Sequence, residues 1–208
     1  MAADDWFRPC EDVVELDAIR ARYGIPPGPY LLSVCTLAPH KNLAHVIRCF
    51  SRLVAEEGIR DLNLVLVGAK GWNYDSIFNA IDFAPGTRER IIVTGYVPDE
   101  DLSPLYSGAL AFVFCSLYEG FGLPPLEAMQ CGVPVITSNT SSLPEVVGEA
   151  GMMVDPSDED QLCQAMLDVY EDSDLRTSLK SKSVARAAQS SWERCVGQVI
   201  EGYKRALA

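Results

Sequence analysis

Short uninterrupted apolar runs alternate along the chain with stretches where apolar residues recur every three or four positions. The runs are Tyr30–Cys35, Leu62–Gly68, Arg90–Thr94, Ala109–Cys115, Val133–Thr137 and Gly151–Val154. They are rich in Val, Leu and Ile, as strands covered on both faces are. Between the first two, Leu43, Val46, Ile47, Phe50, Leu53 and Val54 predict an amphipathic helix, with Asn42 near its start. Further helices are predicted at 13–22, 74–83, 123–130, 143–147 and 159–171, the last with Ser157 as N-cap and Asp160 three residues on. Asp99 is placed to start another, and residues 174–206 read as two more. Residues 1–29 form a lead-in or linker that ends in the breaker cluster Gly24-Ile-Pro-Pro-Gly-Pro29.

Alternating strands and helices predict an α/β fold, a Rossmann-like parallel sheet with helices on both faces and right-handed crossovers. Ligands of such sheets bind beyond the C-terminal strand ends, so the loops there are where chemistry is expected.

Composition narrows the classes. With 17 basic and 29 acidic residues the net charge is −12, which repels nucleic acid and anionic membrane surfaces alike. No apolar run approaches the roughly 20 residues of a membrane span, and no signal peptide is visible. Seven cysteines, an odd number without Cys-x-x-Cys spacing, fit free thiols in a reducing cytoplasm. His40 and His45 have no nearby cysteine to make a zinc site, so no metal is expected.

Four loops carry candidate chemistry. In Thr36-Leu-Ala-Pro-His-Lys-Asn42, Lys41 stands at a helix N-terminus against the dipole preference, either as a solvated lysine or beside a bound anion, with Thr36 adding a hydroxyl. In Gly68-Ala-Lys-Gly-Trp-Asn-Tyr74, the aromatics Trp72 and Tyr74 line a pocket or cap the core. In Thr94-Gly-Tyr-Val-Pro-Asp-Glu-Asp-Leu102, Gly95 follows a strand and the loop is either a plain turn or a backbone platform for a flat base. The fourth, Ser116 to Thr137, is the most specific. Glu119 stands at the mouth of the sheet, Gly120 and Gly122 offer backbone N–H groups where a helix starts, and Glu127 lies one to two turns into that helix. Glycines there suit a diphosphate, and a carboxylate suits vicinal sugar hydroxyls.

Glu119-Gly-Phe-Gly-Leu-Pro-Pro-Leu-Glu127 resembles the Glu-x7-Glu motif of the group 1 (family 4) retaining glycosyltransferases. Leu37–Asn42, Val67-Gly68, Thr94–Val97, Gly132–Ser138 and Ser142–Val146 agree, in order, over about residues 28–170. The resemblance implies the C-terminal, nucleotide-sugar-binding half (30–190) of a two-domain GT-B fold. It implies too that the final helix, within 191–208, crosses to an acceptor-binding N-terminal half absent from these residues. The chain is therefore expected to be part of a longer protein.

By the same resemblance, Glu119 contacts the donor sugar, and Lys41 stabilises the leaving diphosphate together with the backbone of Gly120, Phe121, Gly122 and Leu123. Glu127 holds the ribose, and the backbone of Gly95, Tyr96 and Val97 meets the base. Members of the family are metal-independent, so no cofactor is implied, only a GDP- or UDP-linked sugar as substrate. The acceptor would be a saccharide or lipid-linked saccharide. Pro39-His-Lys-Asn and Gly71-Trp-Asn-Tyr look most like mannosyltransferases of bacterial polysaccharide pathways, which tilts the donor toward GDP-mannose. The expected location is the cytoplasm, with peripheral attachment to the inner membrane face only through the missing half.

This sequence departs from the family in one place. Many members carry an arginine just after the first strand, or an Arg-Lys pair in that loop. Here Thr36 follows Cys35, and His40 precedes Lys41. The second phosphate cation is missing, is a protonated His40, or comes from the absent half. Two alternatives stand beside transfer: a nucleotide-binding module without catalysis of its own, and a GT-B enzyme of another reaction, such as a sugar-nucleotide epimerase.

Overall fold

The computed structural model describes residues 1–84 and 86–207; Pro85 and Ala208, the last residue of the C-terminal segment 191–208, lie outside the described residues. Six strands form one parallel sheet: β1 Tyr30–Val34, β2 Asn63–Val67, β3 Ile91–Gly95, β4 Ala111–Phe114, β5 Val135–Ser138 and β6 Met152–Val154. Each predicted run overlaps its strand; four contain it whole, while β3 and β5 each extend one residue past the run, to Gly95 and Ser138. The run at 133–137 starts two residues late because the Val133 N–H closes the preceding helix on Ala128 O, and Pro134 has no N–H for the ladder.

Nine helices accompany the strands among the described residues: α1 Val13–Arg22, α2 Leu43–Glu56, α3 Asp75–Asp82, α4 Asp99–Ser107, α5 Leu123–Gln130, α6 Leu143–Val147, α7 Glu159–Glu171, α8 Ser173–Ala187 and α9 Trp192–Ala206. The strand order is β3-β2-β1-β4-β5-β6. It runs outward from β1 in one direction and from β4 in the other, so the loops leaving β1 and β4 part at the sheet's topological switch point.

Strand side chains alternate between faces, and both faces are covered. Leu31, Leu64, Leu66, Val113 and Ile136 pack with α2, α3 and α7. Leu32, Val65, Val67, Phe112, Phe114 and Val135 pack with α4, α5 and α6. All six residues that predicted α2 are buried. At Gly68, φ is +144° and an added Cβ would lie 1.9 Å from the Cys35 carbonyl oxygen, so the ends of β1 and β2 close together only over a glycine.

The helix caps differ from expectation at two points. Asn42 stands at the N-cap of α2, but its side chain makes no capping bond: its φ is +58° and its Nδ2 donates to Pro156 O at 2.8 Å, tying α2 to the segment before α7. The N-cap of α7 is Asp158, which accepts from Gln161 N at 3.0 Å; Ser157 turns back to Asp155 instead.

The lead-in packs against the domain. Ala3, Phe7, Ile19 and Ile25 join the core on the α4 side. Buried Asp101 accepts two bonds from Arg22 Nη1, at 2.7 and 2.8 Å, and one from the Tyr23 hydroxyl at 2.5 Å. By contrast α9 buries none of its residues, and Trp192, Val196, Val199, Ile200 and Tyr203 stay exposed along it. All seven cysteines are free thiols. No helix among the described residues is long and apolar enough to cross a membrane.

Candidate functional site

The loops that leave β1 and β4 meet. Pro39–Lys41 forms a short 3-10 turn that the left-handed Asn42 ends, and the Leu117 N–H donates to His40 O at 2.8 Å across the gap. The turn carries Lys41 to the second loop, where its Nζ lies 2.5 Å from Glu119 Oε1. Lys41 also lies 5.2 Å from the centroid of the Phe114 ring. An opposite-charge pair this sheltered forms at the switch point, where α/β sheets take their ligands.

Beyond Glu119 the chain enters α5 through Gly122, at φ +106°, with Pro124 and Pro125 in the first turn, where a missing N–H matters little. An added Cβ at Gly122 would stand 2.8 Å from Leu143 Cδ2, whereas at Gly120 it would meet nothing within 4 Å. Among the described residues no protein acceptor meets the N–H groups of Gly120, Phe121 and Gly122. Three unpaired donors at the positive end of a helix, beside a lysine, are chemically suited to an anion. A cleft of about 470 Å³ borders Gly120 and Phe121 and is closed on its other side by Ser142, Arg186 and Arg194.

Glu127 faces the other way, toward α4. Its Oε2 accepts from the hydroxyl of Tyr106 at 2.9 Å, a fully buried side chain set edge-on against Phe7 and Phe112. Burial pushes the Glu127 carboxyl above the usual carboxylate range; the Tyr106 bond opposes this, and the charges of Asp99 and Asp4 add to it. Its Oε1 has no protein hydrogen-bond partner among the described residues. At the end of β3, Gly95 has φ +77° and its carbonyl accepts from Gly68 N at 2.8 Å; Val97 is buried and Tyr96 exposed.

The structure thus gathers Lys41, Glu119 and Gly120–Leu123 in one place and joins His40 to them through its backbone. Glu127 stands on the α4 side of α5. Thr36 is exposed and packs its methyl toward Gly71 rather than toward Glu119. Of the two roles open to the aromatics after β2, Tyr74 caps the core, packing against it edge-on to Phe78 with Lys70 over both rings, and Trp72 is exposed. No group of three or more potential metal ligands occurs among the described residues.

Two features escaped the sequence reading. One is Tyr106, whose role needs α4 and α5 to be adjacent. The other is the segment Ser138-Asn-Thr-Ser-Ser142, whose hydroxyls bond to the Glu119 loop. Its signal was legible as five consecutive polar residues that begin at the last residue of the buried β5.

Residues 16–186 match the family described as glycosyl transferases group 1. The chain belongs to this family. Among its relatives is O-antigen chain mannosyltransferase B of Escherichia coli, 45% identical over 184 residues, which are 88% of this chain and 48% of the relative. Another is the serotype-specific mannosyltransferase WbdA of Escherichia coli, 34% identical over 192 residues, 92% of this chain and 23% of the relative. The group 1 chain therefore spans about half, or less, of the length of these relatives. Sucrose-phosphate synthase from Thermosynechococcus elongatus superposes with a TM-score of 0.82 at 26% identity, over 99% of this chain and 51% of that one. Anabaena HepE, solved with UDP and glucose, shares the fold with a TM-score of 0.82 at 19% identity, over 98% of this chain and 55% of its own. The helix-covered parallel sheet is the Rossmann-like half that the Glu-x7-Glu resemblance implied.

Proposed function

We propose that the chain is the donor-binding half of a retaining hexosyltransferase, which moves mannose from GDP-mannose to an acceptor hydroxyl in the assembly of a polysaccharide or lipopolysaccharide. The observation that carries this reading is the contact of Lys41 with Glu119 beside three unpaired backbone N–H groups at the switch point. Phosphate oxygens match those N–H groups and the lysine. The free Oε1 of Glu127 matches a ribose hydroxyl, and the backbone at Gly95–Val97 suits the base. Glu119 then faces the hydroxyls of the donor sugar. The choice of mannose is supported by the relatives, two of which are named mannosyltransferases.

In this scheme the bond between the anomeric carbon and the β-phosphate oxygen breaks while the acceptor oxygen bonds to the same carbon on the same face. The acceptor proton passes to the departing phosphate. Negative charge develops on the diphosphate, where Lys41 and the N–H groups of Gly120–Gly122 stand ready to stabilise it. Glu119 orients the sugar and stabilises positive charge near the anomeric carbon. Transfer then requires an acceptor-binding half, and this chain alone binds donor without turning it over. The relatives' greater length supports that division.

The test is transfer by the longer protein that carries this half. GDP-mannose and an acceptor should yield an α-linked product, its configuration read by NMR, and Glu119→Gln should reduce turnover by at least tenfold. An inverted product, or full turnover in Glu119→Gln, would contradict the scheme. Turnover by the chain alone would contradict the division between halves.

A further inference from the structure

The hydroxyls of Ser138-Asn-Thr-Ser-Ser142 bond to the backbone of one other loop, residues 116–121. Ser138 Oγ donates to Ser116 O at 2.5 Å, and the Thr140 hydroxyl lies 3.3 Å from Leu117 O. Ser141 Oγ accepts from Glu119 N at 3.0 Å. Ser142 Oγ lies 2.7 Å from Phe121 O and 3.1 Å from Glu119 O, so its single proton is shared between a carbonyl on each side of Gly120, Phe121 O being the nearer. Ser141 adopts φ +52°, a region that residues other than glycine seldom enter.

Two glycines within three residues leave the Glu119–Gly122 backbone many conformations, most of which scatter its N–H groups. A trans peptide is planar, with its C=O and N–H pointing in opposite directions. The carbonyl of Glu119 shares a peptide plane with the N–H of Gly120, and that of Phe121 with the N–H of Gly122. A hydroxyl that draws both carbonyls toward Ser142 therefore leaves both N–H groups on the side of the loop that faces away from it. These are two of the three N–H groups that meet no protein acceptor.

We infer that Ser142 is a positioning residue for the diphosphate: through the peptide planes of Glu119–Gly120 and Phe121–Gly122 it aims the Gly120 and Gly122 N–H groups before a ligand arrives. Preorganised donors bind more tightly than donors that must be ordered on binding. The inference rests on the proposed reading of this loop as a diphosphate site, and its test separates the two.

Ser142→Ala, Ser142→Cys and Ser142→Thr in the full chain would be titrated calorimetrically with GDP and GMP, and with UDP and UMP, with thermal unfolding as the check on folding. Removing the hydroxyl should weaken diphosphate binding about tenfold, the effect of one hydrogen bond of ordinary strength. Monophosphate binding should change much less, so the ratio of the two affinities falls. Threonine should restore the ratio and cysteine, a weaker donor, should fall between; the cysteine and threonine variants alone decide the matter should the alanine variant not fold. A merely structural role would lower both affinities together and leave the ratio unchanged, which overturns the inference. Absence of nucleotide binding in the unsubstituted chain overturns the diphosphate reading itself.

Discussion

Lys41 and Glu119, 78 residues apart in sequence, are each other's partner: Nζ lies 2.5 Å from Oε1, with 15% and 12% of the two side chains exposed. A pair so sheltered from water is screened little by salt, and removing one member leaves the other charge unmatched. On the proposed reading, Glu119 competes with a diphosphate for the same lysine, and an incoming diphosphate would release Glu119 toward the sugar.

Opposite signs follow for two ligands. Glu119→Gln should tighten binding of free GDP several-fold, because Lys41 is no longer held, while the added affinity that GDP-mannose draws from its sugar disappears. Lys41→Ala should weaken both by about tenfold or more, the effect of losing a charge-assisted bond. Calorimetric titration of the two variants checks this; weaker GDP binding in Glu119→Gln would refute the competition.

Glu127 sets function against stability. Its carboxyl is raised above its ordinary range, chiefly by burial, so the folded chain holds that proton more tightly than the unfolded chain does. The resulting stabilisation is complete below the unfolded-state pKa and is lost as pH rises through the folded-state value. Glu127→Gln should therefore raise the melting temperature at pH 7 and make little difference in acid, where both side chains are neutral. Nucleotide affinity should fall in the same variant. Tyr106→Phe, which removes the bond at 2.9 Å, should raise the Glu127 pKa further and weaken nucleotide binding. Melting curves from pH 4 to 8 with and without nucleotide read all three effects.

Most of the fold was legible because its signals are local. The runs of Val, Leu and Ile revealed every strand, and the spacing of Leu43, Val46, Ile47 and Phe50 revealed α2. Within the site, Glu119 and Gly122 were legible from a contiguous motif. What escaped was what distance in sequence conceals. Asn42 looks like a cap, yet its side chain is taken by Pro156 O, 114 residues on. Ser157 and Asp158 are both good caps by type, and only the course of the chain decides for Asp158. Tyr106 and Ser142 act 21 to 23 residues from the groups they hold, and no periodicity reports such a pairing.

Asp101 fastens the lead-in. Burial alone would raise its pKa, but the Tyr23 hydroxyl and the Arg22 guanidinium more than offset that and hold it below the usual range. A depressed carboxylate stabilises the fold above its unfolded-state pKa and loses that contribution as pH falls through the folded-state value. Asp101→Ala should lower the melting temperature by several degrees at pH 7, as the loss of one buried hydrogen-bonded group does in a domain of this size. The deficit should shrink in acid. A deficit that stays constant with pH would assign the effect to packing instead.

Gly68 tests the closeness of β1 and β2. With an added Cβ 1.9 Å from Cys35 O at φ +144°, Gly68→Ala should destabilise the fold by about 3 kcal/mol or more through overpacking and backbone strain. Gly58→Ala is the control: φ is +65° there, but the Cβ meets nothing within 4 Å, so the cost should be clearly smaller. Denaturant unfolding of the two variants ranks them.

The central claim is that Glu119–Glu127, with Lys41, is a site for a nucleoside diphosphate sugar. The most direct measurement is thermal unfolding of the chain with GDP, UDP, ADP and their sugar conjugates, beside Glu127→Ala. A nucleotide at about 100 times its dissociation constant adds roughly 2.7 kcal/mol, which raises the midpoint by several degrees. The account predicts that shift for the guanosine series, and its loss in Glu127→Ala. A cooperatively folded chain whose midpoint moves with none of the nucleotides would contradict it.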